Sequence, residues 1–266
     1  NLLTRGNRAA APRQQTLRAL IDWSYDSLSE NERKLFCRLS IFQGSWTQDA
    51  IGTICSGNGI ASHGISDLFT QLINKSLIEA IERSTDKEPR FRMLETIRQY
   101  AYEKLLETEG SETIRQKHLA YFMGLVERAA PNLRTFDMLI WLDRLEDELD
   151  NIRAALEWGL KSDIETVLRL ASALLWFWHI HSHQNEATDW LKQGLAHEAN
   201  ERGGNPIGPP RALLRGNALN AISFLMRNSE QRITLLEESL SLFRELGVQG
   251  RQGLATALRI LGNSEL

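Results

Sequence analysis

Cysteine is scarce in this chain. Two occur in 266 residues, Cys37 and Cys55, far apart and without a CxxC pair. That pattern suits a reducing cytosol, with both as small buried hydrophobes rather than one disulfide. An excess of positive charge is also missing. Lys and Arg number 31 against 34 Asp and Glu, a formal charge of -3. Such a balance supplies no basic field to draw in nucleic acid or an anionic membrane. Long hydrophobic runs are absent too. The longest, Ala173 to Trp178, is far shorter than the ~18 residues a membrane span requires. No signal peptide is visible, so the expected location is the cytoplasm. There is no GxxxxGK[ST] motif and no Gly-Lys dipeptide, so nothing in the chain can cradle a triphosphate in a P-loop. An initiator methionine is lacking as well, and the opening "NLLTRGNRAAAPRQQTL" suggests a piece of a longer protein.

What is present suits a soluble globular protein. Hydrophobic residues make up 42% and charged residues 24%, enough to bury a real core, and the length suits two or three domains. Helical periodicity dominates. Leu17, Leu20, Ile21 and Ser24 share one helical face, ahead of a turn and three further helices. Ser29 is an N-cap with Glu32 as its capping-box partner, ahead of an inward-facing Leu35, Phe36 and Leu39. Thr47 caps a short helix with Ala50, Ile51 and Ile54 on one side. A third helix carries Ile65, Leu68, Phe69, Leu72 and Ile73 at 3–4 spacing. "SLIEAIE" (76–82) and "PRFRML" (89–94) then alternate apolar and polar residues across the turn "RSTDKE" and predict a hairpin. Three helices followed by a hairpin are the winged-helix plan.

From Glu95 onward the pattern is helical, interrupted by "GG" and "PIGPP" at 203–210. "ALNAISFL" (218–225) and "ALRILGNS" (257–264) echo one another on either side of the amphipathic "LLEESLSLFRELG". Helix pairs repeating at such a length indicate tetratricopeptide-like hairpins. The expected fold is therefore mostly α. Residues 1–12 are expected as a linker and 13–110 as a winged-helix domain. A helical spacer or first repeats at 111–202, a loop at 203–210 and tetratricopeptide-like repeats at 211–266 would follow.

Several segments carry a likeness to a known family. They are "RQQTLRALIDWSYDSLSENERKLFCRLSIFQGSWTQDA" (13–50), "LINKSLIEA" (72–80), "FRMLETIRQYAYEKL" (91–105) and "WLDRLEDELDNIRAALEW" (141–158). In this order they resemble the region behind the nucleotide-binding module of bacterial STAND ATPases, which are multidomain signal-transduction NTPases. The resemblance implies an upstream module binding ATP or ADP. It also implies a winged helix docked on that module and repeats that hold an effector or protein partner. The chain itself would be a non-catalytic relay without a cofactor. Related switches carry a Met-His-Asp motif after the hairpin, where Met93, Leu94 and Glu95 stand here. Leu94 has no donor for a phosphate, and Glu95 suits the start of a helix.

The alternative is direct DNA binding. The third helix, "GISDLFTQLINKSL", offers one cation, Lys75, against Asp67. The wing adds Arg83, Lys87, Arg90 and Arg92, interleaved with Glu82, Asp86 and Glu88. Phosphate neutralisation needs several cations, so this count argues against DNA contact.

"WFWHIHSHQNEATDWL" (176–191) holds half of the six histidines. On a helix, His179, His183 and Glu186 could imitate a His₂Glu zinc site. However, the apolar pattern from Ile164 to Trp178 stops at the histidines and resumes in another phase at Ala187, Trp190, Leu191 and Leu195. "HSHQ" is therefore expected as a turn, with no metal. Trp176, His179 and His183 are left as candidate partner contacts. The run "RLEDELDNIR" (144–153) reads as a solvated helix face with Asp147 and Asn151 outward.

Overall fold

The computed structural model describes residues 12–82, 88–226 and 229–262. The chain forms two compact units that meet in sequence at His118 and Leu119.

The first unit begins with α1 (Pro12–Asp26) and α2 (Glu30–Leu39). The capping box closes as its residue types require. The Ser29 amide donates to Glu32 Oε2 at 2.7 Å and the Glu32 amide donates to Ser29 Oγ at 3.4 Å. Two otherwise orphaned N–H groups are thereby satisfied. Leu35, Phe36 and Leu39 are buried on the inner face of α2. Next come β1 (Ser45–Thr47), α3 (Gln48–Ile54), a short 3₁₀ turn at Ser62–Gly64 and α4 (Ile65–Asn74). β2 (Glu79–Ile81), β3 (Arg90–Arg92) and α5 (Glu95–Leu106) complete the plan. The tip between β2 and β3, with Arg83, Asp86 and Lys87, and residues 1–11 of the expected 1–12 linker lie outside the described residues, while Pro12 opens α1.

The hairpin pairs antiparallel as its alternation demands, with Ala80 opposite Phe91. A third strand joins it. β1 pairs with the other edge of β3, Trp46 opposite Phe91, to give the order β1-β3-β2. Trp46 is fully buried and stacks on Phe42 at 5.2 Å. Phe69 of α4 meets Phe91 edge-on at 4.7 Å, which seats the sheet on the helix. α4 ends in a left-handed residue, Ser76 (φ 57°). The Leu77 amide reaches back to the Leu72 carbonyl at 3.0 Å and Ser76 to Ile73 at 2.8 Å. This is the Schellman closure, here with serine where glycine is the relaxed choice.

α1 differs from expectation. Ile21 is buried, but Leu17, Leu20 and Trp23 are exposed. The helix docks through a narrower stripe than its apolar content suggests.

α6 (Ser111–Ala129) leads toward the second unit. There a 3₁₀ turn at Ala130–Arg134 precedes α7 (Met138–Asp147), α8 (Leu149–Ser162), α9 (Ile164–Ala173) and α10 (Leu175–Ile180). α11 (Gln184–Arg202), α12 (Pro209–Leu225), α13 (Ser229–Glu245) and α14 (Arg251–Gly262) follow. α12 packs on α9, α11, α13 and α14. Of the two echoing segments, 218–225 lies on α12 and the described part of the other on α14; residues 263–264 are outside the described residues. Phe243 of α13 is wholly buried, and a Cβ on Gly253 would stand 2.2 Å from its ring. The glycine is what lets α14 approach. Asn151 is not outward. It is fully buried and donates to Glu148, itself 3% exposed, at 2.9 Å. The charged run thus hides a polar contact beneath its surface. No helix among the described residues is long and apolar enough to cross a membrane.

Candidate nucleic-acid interface

Burying Ile65, Phe69 and Leu72 turns the opposite side of α4 to solvent. Ser66, Asp67, Thr70, Gln71 and Asn74 are exposed there. Their spacing, 67-71-74 and 66-70-74, makes one continuous stripe. The Thr70 hydroxyl donates back to the Ser66 carbonyl at 2.8 Å. Among the described residues, no protein group bonds the Gln71 or Asn74 amides. Such amides can donate and accept at once, which is the pattern an adenine edge offers in the major groove.

The cations nearby hold the unit together. Lys75 Nζ lies 2.6 Å from Glu32 Oε1, joining the end of α4 to α2. The Arg90 guanidinium is buried and donates to Ser45 Oγ at 2.7 Å and the Ser45 carbonyl at 2.8 Å, tying β3 to β1. Arg92 pairs with Glu79 across the hairpin at 3.0 Å.

Leu94 is exposed and occupies the N-cap position of α5 without a side-chain cap. Glu95 opens that helix and accepts from Arg98 and Gln99, each at 2.8 Å. The Arg98 bond holds its carboxyl below the usual range, against the opposing effect of burial. Glu95 thus organises the first turn of α5.

The histidine segment is divided. His179 lies on α10, Ser182 is left-handed (φ 62°), and His183 stands at the N-cap of α11. Trp176 and His179 come together around Phe224, with ring centroids 5.4 and 5.1 Å from it. The Arg134 guanidinium covers Trp176 at 4.5 Å. His183 belongs to another cluster, against Trp178 and Phe177, with Glu186 Oε2 3.9 Å away. Glu186 is engaged by Arg153 through two bonds of 2.7 Å. Among the described residues, no group of three or more His, Cys, Asp or Glu could hold a metal ion.

Sequence reasoning missed the α4 stripe because it counted cations. The signal was present in Gln71 and Asn74, three residues apart opposite the apolar face.

With this geometry in hand, residues 28–106 match the family model described as "Winged helix-turn-helix domain". Across 198 residues, 73% of the chain, it is 37% identical to "Putative HTH-type transcriptional regulator Rv0890c" of Mycobacterium tuberculosis. It is equally similar to the Mycobacterium bovis protein named "Putative HTH-type transcriptional regulator Mb0914c". A third relative, "Uncharacterized protein Rv0894" of Mycobacterium tuberculosis, is 32% identical over 111 residues, 40% of the chain and 28% of that protein. No solved structure matches the chain at a significant level. The chain spans 22% of the length of the two named regulators. Their names are those of regulators rather than enzymes, in keeping with the non-catalytic role expected of the chain.

These findings correct three expectations. The STAND-ATPase resemblance is not what the matches support, and the signal-transduction relay attached to it falls with it. The partner expected for the winged helix, an intramolecular nucleotide module, is likewise replaced. The judgement against DNA contact also fails, since a winged helix-turn-helix is ordinarily a DNA-contacting module. The physical error was to count only the cations of the third helix and the wing, whereas uncharged amides on that helix can also read a base edge. What the comparisons support for residues 28–106 is a winged helix-turn-helix domain of transcriptional-regulator type.

Proposed function

We propose that the first unit is the DNA-reading module of a transcriptional regulator, with α4 entering the major groove and the β2–β3 wing beside it. The observation that carries this is the set of exposed uncharged side chains Thr70, Gln71 and Asn74, which follow Asp67 along the stripe of α4 in a winged-helix plan. Base readout by amides requires no net charge, and each good bidentate contact contributes about 1–3 kcal/mol of discrimination. The described cations beside α4, namely Lys75, Arg90 and Arg92, are engaged within the unit, which leaves base readout to the uncharged side chains. The protein works in the cytoplasm and needs no nucleotide for this step. The helical hairpins of the second unit form a separate body, on which Trp176 and His179 are candidate contacts.

Selection from a randomised duplex library tests the proposal. Residues 1–266 should enrich a motif, and Gln71→Ala with Asn74→Ala should abolish the enrichment while leaving the melting curve in place. A library that emerges unenriched from the wild-type chain defeats the proposal.

A further inference from the structure

A cavity of about 570 Å³ lies within the first unit, away from the DNA-reading stripe. Its lining includes Tyr25, Arg33, Lys34, Arg38, Glu109 and Ile114, and no residue of α4, β2 or β3. The volume falls in the range of small-molecule sites.

Arg38 is the unusual member. It is 8% exposed and has no carboxylate partner among the described residues. Its Nη1 donates to the Cys55 and Gly57 carbonyls, both at 2.7 Å, and its Nη2 to the Asn58 carbonyl at 2.8 Å. A guanidinium has five N–H donors. Among the described residues these three bonds leave two donors, the Nε–H and one Nη2–H, without a protein acceptor, and two such donors suit an oxyanion. The wall carries three cations, Arg33, Lys34 and Arg38, against two acids, Glu30 and Glu109. Arg33 also uses backbone carbonyls, those of Tyr25 at 3.1 Å and Asp26 at 2.5 Å. Lys34 is offset by Glu30 at 2.5 Å. Burial raises the Cys37 thiol to about 11 and the Tyr25 hydroxyl to about 12, so both are neutral at pH 7. Glu109 is the one further acid on the wall. Leu105 and Ile114 supply an apolar side.

We propose that this cavity binds a small organic anion, with a phosphate or carboxylate head on the Arg38 fork and an apolar body against Leu105 and Ile114. The location gives binding a consequence for the DNA-reading role proposed above. Cys55, Gly57 and Asn58 form the connection between α3 and α4, and Arg38 is what clamps it. α2 also carries Glu32, which holds Lys75 at the end of α4. An anion on the free fork fixes Arg38 without displacing its three carbonyls. The connection is then ordered before DNA arrives, and the two ligands favour one another.

The first experiment measures ligand binding to the 266-residue chain without DNA, so it does not depend on the DNA-reading proposal. Phenyl phosphate and benzoate are titrated by calorimetry, with phenol as the uncharged control. At least one anion should bind saturably below millimolar concentration and phenol should not; the stronger of the two identifies the head group. Lys34→Met should weaken binding about threefold or more, Glu109→Gln should tighten it, and Arg38→Lys should lose most of it. Circular dichroism establishes that each variant is folded, and the changes at half-buried Lys34 and exposed Glu109 decide the matter if Arg38→Lys unfolds. Absence of saturation by either anion, or affinities indifferent to Lys34 and Glu109, overturns the site. If the anion binds but leaves the affinity for a selected duplex unchanged, the coupling to α4 is overturned and the site stands.

Discussion

Replacing Glu32 by alanine removes two supports of the reading helix at once. Its carboxylate accepts from the Ser29 amide at 2.7 Å and from Lys75 at 2.6 Å, and its side chain is only 4% exposed. Loss of the capping interaction costs about 1 kcal/mol. Loss of a buried charge-assisted bond costs about 1.5–3 kcal/mol more. Lys75 keeps 37% of its side chain exposed, so solvent screening places its share at the low end of that range. The sum is about 2–3 kcal/mol, or roughly 10–20 °C in the melting of a domain this size. Glu32→Gln retains an acceptor for Ser29 and should lose about half as much. The pH response has a definite sign. Burial pushes the Glu32 carboxyl upward, but its bonds to Lys75 and Ser29 outweigh burial and leave it below the usual range. Its stabilisation is therefore present above the unfolded carboxylate range and is lost as pH falls through the lower folded value. Thermal melts at pH 7 and pH 3, followed by circular dichroism with hydrogen exchange to assign the unit, test this. The difference between wild type and Glu32→Ala should shrink at the lower pH. A Glu32→Ala melt indistinguishable from wild type at pH 7 would refute the reasoning.

Other positions give equally direct expectations. Ser76→Gly should stabilise the first unit by about 1 kcal/mol, because glycine adopts the left-handed φ without the Cβ penalty; calorimetry should show a higher melting temperature. Gly253→Ala places a methyl 2.2 Å from the Phe243 ring and should cost about 1–3 kcal/mol through overpacking. Hydrogen exchange should show that loss in α12–α14 while protection in the first unit is kept. Glu186→Gln weakens the bidentate link to Arg153 between α8 and α11. Both side chains are partly exposed, so a urea titration should show a loss of about 1 kcal/mol or less.

Much of the first unit is legible in its residues because its signals are local. The Ser29–Glu32 box, the Thr47 cap and the period-two alternation around Phe91 each specify geometry within a few positions. β1 is not legible for the opposite reason. Three residues, Ser45–Thr47, gain strand character only by pairing with β3, some 45 positions away. The exposed Leu17 and Leu20 show a related limit, since periodicity finds an apolar face without saying how much of it is covered. In the second unit, the apolar run from Ile164 to Trp178 looks continuous, yet it is interrupted at Leu174, where α9 gives way to α10. Leu174 is fully buried, so burial continues across the break and hydropathy cannot mark it. The α4 stripe was present but masked by counting charge, whereas Gln71 and Asn74 act through hydrogen-bond pattern. The cavity around Arg38 was beyond sequence reasoning, because α1, α2, the α3–α4 connection, α5 and α6 each contribute part of its wall.

The most direct test of the DNA-reading role is the specificity ratio, the affinity for a selected duplex divided by that for a scrambled one, measured by fluorescence anisotropy at fixed salt. Thr70→Ala, Gln71→Ala and Asn74→Ala are combined in one variant, and Gln99→Ala on α5 serves as the control. Two lost amide contacts at about 1–3 kcal/mol each correspond to a fall of roughly 30-fold or more in the ratio. The account predicts that fall for the α4 variant, with its melting temperature unchanged and the Gln99→Ala ratio intact. A folded α4 variant that keeps the wild-type ratio would contradict it.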